Sequence, residues 1–395
     1  VAVLTADDLP IQRDAKGAPV KTPIAYSEAL YAGHIVALVL ATSDAAAQDG
    51  VAAVEVDYEP LPVVSTIDQA LDPSAPLARV MIVGGTDEAG MHNADAAAAT
   101  GDGRESLPPN VSKSIHFSRG DVAAGFAEAD AVVDLTFTSL SVHQGYLETQ
   151  ACLVDINPLG DLTVYTSTQA AFYCRTRVSE TVGLPMHRVK VVPMPVGGGF
   201  GGKFVLIEPL VAAAAVAAGR PVLLQYTRME DLLAGNPAVD CRIQLKVGAK
   251  KDGRLTALQS QVVFDAGAGG MAPMEISAIL MGGYYRVPNL DIRGYEVITN
   301  RVGGGAYRAP GAQQGTFAIE SVMDELARQL HLDPLEFRIQ NCVVEGDPRP
   351  NGNPWPRIGL KQTLEALRDH PLWKNRDQSK AAGRGVGLAC GGWPG

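Results

Sequence analysis

Cysteine is scarce in this chain of 395 residues, and the five present, Cys152, Cys174, Cys241, Cys342 and Cys390, are odd in number and widely scattered. That spacing excludes a disulfide framework and matches neither zinc nor iron-sulfur ligation, so a reducing compartment, and with it a cytoplasmic location, is the expectation. Positive charge is also short. The 33 basic and 43 acidic side chains give a formal charge of -10, which repels a phosphate backbone, and without a local basic stripe no nucleic-acid partner is expected. The most apolar stretch, residues 206–219, is interrupted by Glu208 and Pro209. It falls short of the ~20 apolar residues of a spanning helix, so a buried helix is expected there and no membrane span. Val1 opens the chain with neither an initiator Met nor a basic segment leading into an apolar run, so the true start is expected upstream, which leaves export open.

What is present fits a packed globular protein: 46% hydrophobic against 19% charged residues. At ~150 residues per domain the length suggests two or three. The apolar run at residues 35–40, an Ala-rich helix capped by Ser43 and ending near Ala53, and an alternating strand at 54–58 stopped by Pro60 and Pro62 form a small α/β lobe. Residues 84–110 have linker composition. Beyond them, strands are expected at 131–141, at 153–167 around a turn at 158–161, at 189–192 and at 222–226. Helices are expected at 171–182, closed by Gly183, at 205–218, closed by Gly219, and at 315–330. A hairpin is expected from 239–247 and 255–266 about Lys251-Asp252-Gly253, and a strand begins at 386–389. The class is α+β, mixed α and β, with no repeat of solenoid length. The chain stops inside Gly391-Gly392-Trp393-Pro394-Gly395, so more sequence is expected to follow.

Chemistry concentrates in two glycine-rich segments. Gly197-Gly198-Gly199-Phe200-Gly201-Gly202-Lys203 lies between the strand at 189–192 and the helix from 205. Such a loop admits positive φ and lets a ligand approach main-chain N–H groups, which suits phosphates or a metal-oxo group. Gly197, Gly199 and Gly202 also satisfy the dinucleotide pattern G-x-G-x-x-G, but the expected acid at the end of the next strand is missing, since that strand ends in Gln225-Tyr226-Thr227. A purely structural turn remains open on composition. The second segment runs Gly303-Gly304-Gly305-Ala306-Tyr307-Arg308-Ala309-Pro310-Gly311-Ala312-Gln313-Gln314 and leads to Glu320. Its arginine, framed by glycines, can bind phosphate or carboxylate bidentately, or simply pair with a nearby acid.

In order, Ser167-Thr168-Gln169, then 197–203, then Ala306-Tyr307-Arg308 to Gln314 and Glu320, these segments resemble the molybdenum-binding subunits of the xanthine dehydrogenase and aldehyde oxidase family. The likeness covers nearly the whole chain. It implies an α/β-hammerhead domain at 1–83, a linker at 84–110, a larger first molybdopterin-binding domain at 111–380, and the start of a second at 381–395. It implies a molybdenum-molybdopterin cofactor, for which a cytosine dinucleotide form is one option, contacted by Gln169, Gly198, Gly199, Phe200, Gly201 and Arg308. Gln169 would lie near the molybdenum oxo ligand, with no residue ligating the metal directly. His143 and Glu148 match a motif that relatives also carry, but a satisfied core histidine is the expectation and no chemistry is assigned to either.

The departures bear on substrate. Relatives that hydroxylate purines have a Glu where this chain has Phe204, an Arg where alignment puts Ile276, and an aromatic residue where it has Pro310. These three are the expected substrate pocket, and an aldehyde or weakly polar N-heteroaromatic is expected over xanthine. Ala309 stands where carbon monoxide-oxidising relatives carry a copper-binding Cys, so no copper is expected. The resemblance implies hydroxylation with water as the oxygen source, Lewis acidity from the metal and a Glu as general base. That Glu is expected beyond Gly395, so no catalytic base is named in this chain. Electrons would leave through a 2Fe-2S subunit and a FAD subunit, in a dimer of heteromers. Two other classes stay open: an NAD-dependent dehydrogenase using residues 197–202 as its dinucleotide loop, and a non-catalytic assembly domain.

Overall fold

The computed structural model describes residues 2–15, 17–19, 22–79, 107–380 and 383–393. The first lobe opens with β1 (Ala2–Leu4), paired antiparallel with β2 (Leu38–Leu40). Helix α1 (Asp44–Ala52) follows, and the Ser43 side chain caps it by accepting from the Ala46 N–H, satisfying a donor that the first helical turn leaves without a partner. The strand expected at 54–58 does not form. Its alternation leaves Val56 and Tyr58 exposed, and a strand needs a neighbour to complete its ladder, which none of the described residues provides. The next segment, including α2 (Ile67–Leu71), packs elsewhere: Val64, Ala70 and Ala78 join Val263, Ala266, Val297 and Ile298 in one cluster. Most of the linker expected at 84–110 lies outside the described residues.

The second region comprises β3 (Val111–Arg119), α3 (Val122–Ala127), β4 (Ala131–Ser139), β5 (Ala151–Ile156), β6 (Leu162–Thr166), α4 (Ala171–Val182), β7 (Val189–Pro193), α5 (Glu208–Ala218) and β8 (Val222–Gln225). It continues with α6 (Arg228–Ala234), β9 (Cys241–Ala249), β10 (Leu255–Asp265), α7 (Met274–Gly283), β11 (Asn289–Val297), α8 (Ala312–Gln329), α9 (Pro334–Asn341) and α10 (Leu360–Leu367). Two sheets result. The five-stranded one has the order β3-β11-β10-β9-β4 and the four-stranded one β7-β6-β5-β8. Each is antiparallel except for one parallel pair, β10 with β11 and β6 with β7. Apolar residues of α7 and α8 share a core with the first sheet, and those of α4 and α5 with the second. The fold is mixed α and β, as expected.

Helix α5 begins at Glu208 rather than at 205, because Pro209 sits in its first turn, where a fixed φ favours initiation. Both of its faces are covered. Ile207 at its N-cap, with Val211, Ala212 and Ala215, packs toward the four-stranded sheet, while Leu210, Ala213 and Ala214 pack on Ala6, Leu9, Ile11, Ile24 and Leu38 of the first lobe. Small alanines let both layers approach the helix closely. No helix among the described residues is long and apolar enough to cross a membrane.

The strand expected at 386–389 is also absent. Val386 and Leu388 instead pack against Leu335, Ile339 and Leu364 of α9 and α10, so helix faces satisfy the apolar run. This tail is tied down by an ion pair. The enclosed Arg338 side chain donates from Nε to Glu320 Oε2 at 2.8 Å and reaches Asp324 at 2.8 Å. Glu320 also accepts from the Tyr285 hydroxyl at 2.5 Å and the Cys390 N–H at 2.8 Å. Replacing one partner strands a buried charge. Arg338→Met is therefore expected to lower the unfolding free energy by about 3–5 kcal/mol. Urea denaturation measures this, and an unchanged midpoint and slope would refute it.

Candidate functional site

The loop between β7 and α5 carries three residues with left-handed backbone, Gly198 (φ 95°), Phe200 (φ 52°) and Gly201 (φ 101°). Four of its glycines, Gly197, Gly199, Gly201 and Gly202, leave no room for a side chain. A Cβ on Gly199 would sit 2.4 Å from Gln169 Oε1, and one on Gly201 would sit 2.5 Å from the Ala306 carbonyl oxygen. The loop's N–H groups divide into two sets. Gly197 donates to Glu148 Oε2 at 2.7 Å, while Gly201 and Lys203 donate to Gln169 Oε1 at 3.0 and 3.3 Å. Among the described residues, no acceptor is bonded to the N–H groups of Gly198, Gly199 or Phe200. Successive N–H groups in such a turn form a concavity that attracts anions and oxygen ligands.

Gln169 follows β6 and is pinned from both sides. Its N–H donates to the Lys203 carbonyl at 2.7 Å. Thr168 Oγ1 donates to the Phe204 carbonyl at 2.6 Å and accepts from the Ala170 N–H at 3.1 Å. Because Gln169 Oε1 receives two main-chain donors, the orientation of its amide is settled. Its Nε2 is left as a donor, with no acceptor bonded to it among the described residues.

The arginine segment closes on the same loop. Arg308 N–H donates to the Phe200 carbonyl at 2.9 Å, and Gln144 Nε2 donates to the Ala306 carbonyl at 2.7 Å. The Arg308 side chain is exposed, and no carboxylate pairs with its guanidinium among the described residues. Thus Gln169, Gly198, Gly199, Phe200, Gly201 and Arg308 are brought to one place. The expected substrate residues are less unified. Phe204 is partly exposed and Pro310 is buried, whereas Ile276 lies inside the core cluster of the five-stranded sheet.

Beneath the loop is a polar layer to which the sequence assigned nothing. Lys203 Nζ lies 2.5 Å from Glu148 Oε2 and 4.9 Å from the Tyr146 ring centre. The Tyr146 hydroxyl donates to Asp231 at 2.9 Å, and Gln150 Nε2 donates to both that hydroxyl and the Gly202 carbonyl at 2.9 Å. Burial opposes ionisation of Glu148, but the Lys203 ammonium and the Gly197 N–H outweigh it and hold the carboxyl below its ordinary range. His143 is not the satisfied core residue expected. Its Nδ1 accepts from the Gly145 N–H, which puts the proton on Nε2, yet that atom is buried without a partner, 4.0 Å from Asp231. Burial lowers the His143 pKa, against the opposing pull of Asp231. The spacing of Lys203, directly after the glycines, was the available signal for this layer.

The dinucleotide alternative fails at α5. The helix N-terminus that a pyrophosphate would need holds the buried Glu208 carboxylate, which accepts from the Thr166 hydroxyl and the Leu206 N–H, both at 2.8 Å. A pyrophosphate would have to displace that buried side chain from the helix N-terminus.

Comparison with known proteins gives two family matches. The description "Molybdopterin cofactor-binding domain" matches residues 104–342, and "Aldehyde oxidase and xanthine dehydrogenase, a/b hammerhead domain" matches residues 1–62. The protein described as "Probable hypoxanthine oxidase XdhD" from Escherichia coli (strain K12) is 34% identical over 331 residues, covering 80% of this chain and 34% of that protein. The nicotinate dehydrogenase large molybdopterin subunit of Eubacterium barkeri is 30% identical over 342 residues, covering 85% of this chain and 74% of that one. Among solved structures, the aldehyde oxidoreductase from Desulfovibrio gigas superposes with a TM-score of 0.80 at 27% identity, over 96% of this chain and 41% of that one. The chain therefore spans about a third of the length of the first of these relatives.

Glu208 generates a pH dependence. Burial raises its pKa, more than its hydrogen bonds to Leu206 and Thr166 lower it. A carboxyl raised in the folded state contributes stability that is full below its unfolded value and lost as pH rises through its folded value. The wild-type melting temperature should fall across that interval, and Glu208→Gln should flatten the fall while keeping both hydrogen-bond partners. Parallel melts from mildly acidic to mildly alkaline buffer decide it; equal slopes would sink the assignment.

Proposed function

Because this chain belongs to the xanthine dehydrogenase and aldehyde oxidase family of molybdopterin-binding proteins, we propose that it is the cofactor-cradling part of a molybdenum hydroxylase subunit. The observation that carries this reading is the meeting of three segments at one loop, joined by Arg308 N–H to the Phe200 carbonyl and by Gln169 N–H to the Lys203 carbonyl, where the N–H groups of Gly198, Gly199 and Phe200, the Gln169 Nε2 and the Arg308 guanidinium have no internal acceptor among the described residues. Every one of these groups is a donor. They fit a ligand rich in oxygens and negative charge, as a pterin-held oxo-metal group with its phosphate is. When bound, the molybdenum centre supplies Lewis acidity and two-electron redox capacity.

The residues of this chain then divide the work. Gln169, fixed by two main-chain donors, offers a neutral N–H to an oxo ligand without adding charge. The loop amides hold the ligand's oxygens at no cost of reorganisation, and Arg308 holds its phosphate. Phe204 and Pro310 supply apolar contact for a substrate without a charged anchor, which supports an aldehyde or N-heteroaromatic over xanthine; Ile276, enclosed in the core, puts no charged group there either. No general base is assigned among these residues. The scattered, buried cysteines leave electron transfer to companion chains, a 2Fe-2S subunit and a FAD subunit, and a cytoplasmic heteromer is the assembly this favours.

Two experiments test the reading. The full-length protein, isolated with the chains that accompany it, should contain molybdenum and pterin on this subunit and iron on a companion; metal-free protein that binds NAD would overturn the proposal. For substrate, kcat/KM across a panel should favour aldehydes or N-heteroaromatics over xanthine by about tenfold or more, the worth of a missing charged hydrogen bond. A strong preference for xanthine would reverse that part.

A further inference from the structure

The ion pair beneath the glycine loop has no part in the reading above, and its geometry is more specific than support of the fold requires. One atom, Glu148 Oε2, accepts from the Gly197 N–H at 2.7 Å and from Lys203 Nζ at 2.5 Å, so it ties the first residue of the loop to the last. The Glu148 N–H donates back to the Gly197 carbonyl at 3.2 Å. Lys203 in turn reaches both internal acceptors, Gln169 Oε1 through its main chain and Glu148 through its side chain. The loop's donors are thereby sorted. Gly197, Gly201 and Lys203 are taken by these two side chains, Gly202 donates to the Gly199 carbonyl at 2.8 Å, and the N–H groups of Gly198, Gly199 and Phe200 are what remains.

The Lys203 side chain is fully enclosed. An enclosed ammonium is costly when left unpaired, but its partner Glu148 is 36% exposed, so the pair adds little net stability beyond relieving that cost. Stability alone therefore does not account for a pair at this place, whereas the register it imposes on the loop does. Resting on the reading of this loop as a cofactor cradle, we propose that Glu148 and Lys203 are positioning residues: their shared oxygen sets which three loop amides are presented to the cofactor. Neither touches the cofactor. They act through Gly197, whose N–H would otherwise be free to turn outward and shift the presented set by one residue.

The test uses the full-length holoenzyme and three variants, read by molybdenum and pterin content, by the electron paramagnetic resonance signal of the reduced metal, and by melting temperature. Glu148→Leu/Lys203→Met removes both charges and the acceptor for Gly197. It should melt near the wild-type temperature but hold about tenfold less cofactor, the equivalent of one charge-assisted hydrogen bond, with an altered signal in what is bound. Glu148→Gln/Lys203→Met keeps an oxygen on the Gly197 N–H and should retain both occupancy and signal. Glu148→Gln alone leaves Lys203 unpaired, and should lose melting temperature while any folded protein keeps the native signal. Native occupancy and signal in Glu148→Leu/Lys203→Met overturns the proposal. If that variant does not fold, loss of the signal in Glu148→Gln/Lys203→Met overturns it instead, because charge and not the hydrogen bond would then be what matters. Wild-type protein without molybdenum sinks the functional reading itself, so the two failures are distinguishable.

Discussion

Every main-chain N–H that leaves water needs an acceptor, and the distribution of acceptors around one glycine loop governs the rest of this molecule. Glycine makes the loop pliable, so the loop cannot choose its own shape. Two side chains choose it from below, Glu148 at one end and Gln169 at the other, and each arrives on a different part of the second region. Gln169 stands just past the end of β6 and Glu148 just before β5, so the four-stranded sheet fixes both acceptors relative to the loop that leaves β7. From above, the Phe200 carbonyl is claimed by Arg308 N–H. The shape of the loop is thus held by strands, while the loop itself is mostly glycine.

Electrostatics follow the same division. The acidic groups near the site are all given partners: Glu148 to Lys203, Glu208 to Thr166 and Leu206, and Asp231 to Tyr146 and Arg228. The N–H groups of Gly198, Gly199 and Phe200 and the Gln169 Nε2 have no such partner among the described residues. A chain with an overall charge of -10 therefore keeps a cluster of unpaired donors at one loop, because local arrangement and not net charge decides what such a loop attracts.

The sequence made the chemistry legible sooner than the architecture. Glycines, a Gln and an Arg are conspicuous because their usefulness depends on identity, and all three segments converge. Helices with caps, such as α1 behind Ser43 and α4 before Gly183, were equally readable, as was the β9–β10 hairpin about Gly253. What escaped was set by distant partners. Helix α7 is apolar almost throughout and enclosed by core, so it has no amphipathic period to read. Strand β11 runs parallel to β10 across that helix, and β3 pairs with it from more than a hundred residues away. The alternation at 54–58 misled for the converse reason, since a pattern that suits an edge says nothing about whether a neighbour exists. The Glu148–Lys203 pair spans 55 residues of sequence, and neither residue is unusual by itself. Capping by Thr227 and Glu230 marks α6 within the sequence itself.

Helix α5, sandwiched between the first lobe and the four-stranded sheet, also constrains how the molecule comes off the ribosome. One side of its groove, residues 6–38, is synthesised long before the helix, but β8, which adjoins the other side, emerges only afterwards. The nascent first lobe therefore keeps that apolar face uncovered until α5, ending at Ala218 of the 395 residues, has been made. Aggregation at that stage, when a chaperone's protection counts most, is the cost of building two lobes around a single shared helix.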